Sequence, residues 1–275
     1  MTKETMKRTT NISFHKIKID LEKSQDSYIF DANSNRMLLD FFGMYSSLAV
    51  GYNHPLTKSK KYQSDILRAS NTKVTNCEML TEEYEVFVKE FSDFAIPDDF
   101  SCVHFSCTGG LAVEGAIKAA LHHASLSKKS NKDACIVSFR GGFHGITSYG
   151  NFTTDREGPA KVRLSGFPDL GWPKISTCEE LTELINQGKN IGAVIIEPIR
   201  CTVGDNHFSD EFLSRVRKIT EENKIPLIFD EVQTGFCSSG RVWFFQKFDW
   251  SPDIVVFGKK SQTSGFFVKK GFDDI

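Results

Sequence analysis

The sequence predicts an α/β protein with a mostly parallel sheet and helices on both faces. Three observations predict it. Short runs at 135–137, 193–196, 227–229 and 254–257 are apolar at every position, as strands buried on both faces require. Helical spacing alternates with them: apolar residues at 113, 116, 117, 120, 121 and 124 share one face, and 209–223 is amphipathic and opens on Ser-Asp-Glu. Hydrophobic residues make up 40% of the 275, enough for a large core, and charged residues make up 25%, which excludes a disordered chain.

Taken in order, the first 60 or so residues read as short strands and turns. Tyr28-Ile29-Phe30, the turn-rich DANSN and Met37 to Phe42 suggest a small β-meander, the N-terminal segment of a small α+β domain over 1–60. Residues 58–80 are polar, a connection with some helix. Thr81 is placed to cap a helix through about Phe94, with Glu82 and Glu83 in its first turn. The large α/β domain is read as 61–275, with Phe266-Phe267-Val268 as a further strand. The sequence stops seven residues after that strand.

Composition excludes several classes. A net charge of −1 argues against a dedicated nucleic-acid binder. No apolar run is long enough for a transmembrane helix, and the first 16 residues lack the apolar centre of a secretory leader. Seven cysteines without CxxC spacing make a structural metal or a disulfide framework improbable, so the expected setting is cytoplasmic, with no metal and no membrane partner. No strand is followed by GxGxxG, which counts against a nucleotide-binding oxidoreductase.

In a parallel sheet, ligands bind beyond the carboxyl ends of the strands. Thr108-Gly109-Gly110 precedes the helix near 111, and a hydroxyl and two glycines at a helix start make a phosphate cup. An ordinary capped helix explains the same residues about as well. Gly141-Gly142-Phe143-His144-Gly145 presents an aromatic ring and an imidazole on a flexible loop, unless Phe143 is core and His144 a structural hydrogen bonder. Glu197 ends the run at 193–196, and Asp230 ends the run at 227–229. A carboxylate there is costly without a cation or donor, which makes Asp230 a partner for a protonated ring nitrogen. Lys259 and Lys260 follow the last run. A lysine at a buried strand end can serve as an amine nucleophile, whereas a bare Lys-Lys pair is more often solvated. A phosphate cup, an aromatic lid, an aspartate and a lysine, each after its own strand, are the parts that hold pyridoxal phosphate.

These residues carry a resemblance. LDFFGMYSSLAVGYNHP, TGGLAVEGAIKAA, FRGGFHG, FPDLGWPKI, IIEPI, IFDEVQTGFCSSGRVWFFQ and SPDIVVFGKKSQTSGFF run in one order from about Asp20 to Phe267. The chain resembles the class III, fold-type I pyridoxal-phosphate aminotransferases, closest to the L-lysine 6-aminotransferase branch, with 4-aminobutyrate aminotransferase next, and the resemblance implies a sheet that is seven-stranded in type. The resemblance implies a homodimer acting on an amine or amino acid and a 2-oxo acid. It implies that Thr108, Gly109 and Gly110 hold the cofactor phosphate and that Phe143, beside His144, stacks on the ring. Asp230 would pair with the ring nitrogen, Gln233 approach the ring hydroxyl and Glu197 support the Asp230 end. Lys259 would be the catalytic Schiff-base residue, with Lys260 its rival.

Three departures from the family pattern accompany it. Ile146 stands where the family's carboxylate-clamping arginine follows FHG, with Arg140 nearby in sequence. Thr202 stands where a gate glutamate follows EPI. Family members also run well over a hundred residues further, which implies a large domain incomplete at its C-terminus and no C-terminal small domain. The alternative reading is therefore a truncated, inactive family remnant that at most binds pyridoxal phosphate.

Overall fold

The computed structural model describes residues 17–72, 79–127, 133–155 and 170–272. Residues 1–16, much of the connection near 75 and the first three residues of the FPDLGWPKI stretch lie outside them. The chain divides into two compact units between Thr81 and Glu82. The sequence reading began the large domain at 61, and the helix that follows groups instead with the N-terminal unit.

In that unit β1 (Ile19–Gln25), β2 (Tyr28–Asp31) and β3 (Arg36–Leu39) form an antiparallel meander. The DANSN turn closes on Asp31. Its carboxylate accepts the N–H groups of Lys18, Asn33 and Ser34 and the Ser34 hydroxyl, and these bonds hold its pKa at about 2. Helix α1 (Lys60–Asn71) starts at Ser59, whose hydroxyl accepts from Tyr62 N at 3.3 Å.

The second unit carries α2 (Glu82–Ala95), β4 (Phe100–Ser106), α3 (Gly109–Ser127), β5 (Cys135–Phe139), α4 (Ser148–Thr153), β6 (Lys174–Ile175) and α5 (Cys178–Asn186). It continues with β7 (Ile191–Ile196), the two-residue hairpin strands β8 (Ile199–Arg200) and β9 (Asn206–His207), and α6 (Asp210–Glu222). Then come β10 (Leu227–Asp230), β11 (Ile254–Phe257) and β12 (Ser264–Lys269). Seven strands form one sheet in the order β4-β12-β11-β10-β7-β5-β6. Only β12 runs antiparallel to its neighbours, so the sheet is mostly parallel, as expected.

Every residue of β5, β7, β10 and β11 is buried. Successive residues point to opposite faces, so both faces are covered. Of the helix face read from the sequence, Val113, Ala116, Ile117, Ala120 and Ala124 are buried. Ser209 caps α6 by accepting from Phe212 N at 3.1 Å, and Thr177 with Glu180 closes a capping box on α5. Rings bind α2 to the sheet: Phe91 lies 5.2 Å from Phe105 and 5.1 Å from Phe257.

Candidate active site

Four parallel strands deliver their carboxyl ends to one cleft of about 210 Å³. Its walls take Gly109, Gly110, Phe143, His144, Glu197, Asp230, Gln233 and Lys259 from the residues singled out in the sequence. Val113, Gly145 and Val232 complete the lining, and they were not among the candidate site residues read from the sequence. Neither Thr108 nor Lys260 is part of it.

Helix α3 points its N-terminus at the cleft. Thr108 caps it: the hydroxyl accepts from Leu111 N at 3.3 Å and the carbonyl from Ala112 N at 3.0 Å. The N–H groups of Gly109 and Gly110 come before the first intrahelical bond and line the cleft, the usual arrangement for an anion. A Cβ on Gly109 would meet Val232 Cγ1 at 3.0 Å, tight enough that the Val232 side chain would have to shift. Gly145 has φ +102° and would meet Gly110 Cα at 3.3 Å, which brings the loop after β5 against the same helix start.

Asp230 ends β10. Its Oδ2 lies 2.8 Å from His144 Nδ1, and Oδ1 accepts from Val232 N at 3.2 Å. Both side chains of the pair are buried. Against an ionised Asp230 the imidazole must donate, which places its hydrogen on Nδ1. Among the described residues His144 Nε2 is buried without a partner. Glu197, at the end of β7, accepts the Phe143 N–H at 2.6 Å. Burial, and then the neighbouring Asp230, push its pKa up to about 8. Lys259 follows β11 in a left-handed conformation, with φ 53°. Its ammonium donates to Gln233 Oε1, and burial lowers its pKa against the opposing pull of Asp230, Cys201 and Glu197.

Glu114 was missed by the sequence reading. It is 7% exposed and its Oε1 accepts from Thr147 Oγ1 and from Gly150 N, each at 3.0 Å. It therefore ties α3 to the loop that carries Phe143 and His144. Its signal was legible: a carboxylate on a helix face that is otherwise apolar.

The rim differs from the cleft floor. Ile146 is 71% exposed. Thr202 is exposed within a single turn of 3₁₀ helix, and the Arg140 side chain is also exposed. Arg200 takes the Arg140 carbonyl at 2.9 Å and Asn206 Oδ1 at 2.6 Å, and lies 4.2 Å over the Phe208 ring. Among the described residues no helix is long and apolar enough to cross a membrane.

A mostly parallel sheet with an anion cup, a buried Asp–His pair and a half-buried lysine at its carboxyl edge offers a site suited to a phosphate-bearing ring. The model of the class-III aminotransferase family matches residues 9–273, and the chain belongs to that family, whose members depend on pyridoxal phosphate. It is 30% identical over 302 residues to the L-lysine-epsilon aminotransferase of Mycobacterium tuberculosis, covering 99% of this chain and 66% of that one. With the 4-aminobutyrate aminotransferase of Schizosaccharomyces pombe the identity is 27%, over 96% of this chain and 64% of the relative. The solved lysine aminotransferase from M. tuberculosis in its internal aldimine form superposes with a TM-score of 0.90 at 29% identity, over 98% of this chain and 68% of that one. The chain thus spans just under two thirds of the length of the curated relatives it matches.

The residues present fit pyridoxal phosphate. The cup at Gly109 and Gly110, two residues without side chains at a helix start, suits a phosphate. Asp230 can accept from a ring N–H, and Lys259 brings an amine to the same cleft.

Proposed function

We propose that the cleft binds pyridoxal phosphate and that the protein moves a terminal amino group to a 2-oxo acid such as 2-oxoglutarate. The donor would be L-lysine or a similar ω-amine, in a cytoplasmic, lysine-degrading role, with a homodimer as the working unit. The observation that carries the reading is the convergence of Gly109, Gly110, Asp230 and Lys259 on one cleft from two strand ends and a helix N-terminus. The relatives named above support the donor class.

When bound, pyridoxal phosphate supplies an electron sink for amino exchange. The chain supplies the rest. Gly109 and Gly110 bind the phosphate through backbone N–H groups, and the Thr108 cap keeps them aimed. His144 orients the Asp230 carboxylate toward a ring nitrogen. Phe143 covers one ring face, and Gln233 orients the Lys259 ammonium. Lys259 Nζ, its proton loosened by burial, takes and returns a proton at the amine-bearing carbon.

Borohydride reduction of the chain with pyridoxal phosphate, followed by peptide mass mapping, tests this. The expected result is a phosphopyridoxyl label on Lys259, lost in Lys259→Ala and kept in Lys260→Ala. A label that follows Lys260 moves the assignment by one residue. No label on a soluble chain rejects the reading.

The second reading is a remnant that binds the cofactor without transferring an amino group. The exposed aliphatic Ile146 favours it, because an aliphatic side chain cannot clamp a carboxylate. Labelling at Lys259 with no turnover of lysine or 4-aminobutyrate is its signature.

A further inference from the structure

The loop after β5 presents two adjacent residues to the cleft, and each is tied to an acid at the end of a different strand. His144 is held by its ring, through Asp230. Phe143 is held by its backbone, through Glu197 Oε2 at 2.6 Å, across 54 residues of sequence. The neighbours of this amide are fixed separately. Gly142 N donates to Phe139 O at 3.0 Å, and His144 N donates to Thr154 Oγ1 at 2.8 Å. Glu197 therefore anchors the Phe143 amide, next to the Cα that carries the ring. Only 6% of Glu197 is exposed.

We propose that Glu197 is a positioning residue: by accepting the Phe143 N–H it seats the Phe143 ring against the face of the flat ring held in the cleft. This rests on the cofactor reading above. The charged groups facing Glu197 are Asp230 from β10, Lys259 from beyond β11 and Arg200 from β8. None of them is needed for the tie, which asks only for an acceptor oxygen. Burial beside Asp230 favours the protonated acid, whose carbonyl oxygen still accepts. An amide side chain is then a faithful replacement, and a methyl group is not.

The test compares the full chain with Glu197→Gln and Glu197→Ala, with Glu197→Met keeping the volume if Ala does not fold. Hydrogen exchange at the Phe143 amide needs no cofactor. Exchange should be slow in the wild type and in Gln, and at least about tenfold faster in Ala, since one buried hydrogen bond is worth about that factor. With pyridoxal phosphate added, the visible circular dichroism reports how the bound ring is seated. Gln should keep the sign and amplitude of the wild type, and Ala should lose at least about half. Wild-type exchange and dichroism in Ala overturn the proposal, as does a Gln variant that behaves like Ala. A wild-type chain with slow exchange at Phe143 and no visible signal overturns the cofactor reading itself, and the ring-seating role falls with it.

Discussion

Both ends of the parallel sheet bury charge, but they resolve it differently. At the amino end, Arg217 is 8% exposed. It donates to Asp253 Oδ2 at 2.7 Å, and the same oxygen takes the Leu227 N–H at 2.9 Å. Lys269 donates to the Ser251 carbonyl nearby at 3.1 Å. Arg217 there meets an opposite charge and Lys269 a dipole, although burial works against the charge on Lys269 too. At the carboxyl end, Glu197 and Asp230 face each other across an open cleft, and burial works against the charge on Lys259. One end uses charge to stabilise the fold. The other leaves an electrostatic tension that a bound cation-bearing ring and a phosphate would relieve.

Substitutions at the two ends should therefore separate stability from binding. Arg217→Ala leaves Asp253 beside the core without its cation and should cost about 3 kcal/mol or more of unfolding free energy. Pyridoxal phosphate binding per folded molecule should not change. Asp230→Ala removes the ring-nitrogen partner and should weaken pyridoxal phosphate binding by about 100-fold, the equivalent of about 3 kcal/mol. It also removes the carboxylate facing Glu197, so its loss of stability should be the smaller of the two. Denaturant titration and spectroscopic binding measure both. Equal effects of both variants on both readouts would break the distinction between the ends.

A subtler comparison concerns protons. Glu231, next to Asp230, is 1% exposed and accepts the N–H groups of Phe244 and Phe245 at 2.7 and 3.0 Å. Burial lifts its pKa from 4.5 to about 7, against the pull of those N–H groups. The folded chain thus keeps a proton that the unfolded chain releases. Stability should fall as pH rises from about 4.5 to about 7 and level off above, and Glu197 adds a fall in the same direction. The ligand-free chain should melt higher at pH 5.5 than at pH 8. Glu231→Gln should be less stable at pH 5.5, because its amide N–H₂ faces backbone donors, yet show a shallower slope. Identical slopes would remove Glu231 as the source.

How much of this was legible depended on burial pattern. The runs in β5, β7, β10 and β11 could be read because both of their faces are covered. β4 could not: Ser101, Cys102 and His104 are exposed on this edge strand, which breaks the apolar run. Helix α5 did carry a readable signal, the Thr177–Glu180 capping box, but its apolar stretch is short. In the site, acids that end apolar strands pointed to Asp230 and Glu197. Their partners were illegible, because His144 lies 86 residues from Asp230 and only the sheet order brings them together. Lys259 and Lys260 are equivalent as letters, and the backbone turn after Gly258 decides which one enters the cleft.

The finest version of the comparison sets two helix caps against each other. Thr108 and Ser209 cap α3 and α6 with the same chemistry, at 3.3 and 3.1 Å. Thr108→Ala and Ser209→Ala should each cost about 1 kcal/mol of stability. Only the α3 cap stands behind N–H groups that line the cleft, so only Thr108→Ala should also weaken pyridoxal phosphate binding, by about threefold to tenfold. Thr108→Ser, which keeps the hydroxyl, should restore it. Stability loss without a change in binding would make Thr108 a helix cap and nothing more, the plainer of the two readings its sequence position allowed. A binding loss that Ser rescues would tie the cap to the anion cup, because the same hydroxyl that stops α3 from fraying keeps the Gly109 and Gly110 N–H groups pointed into the cleft.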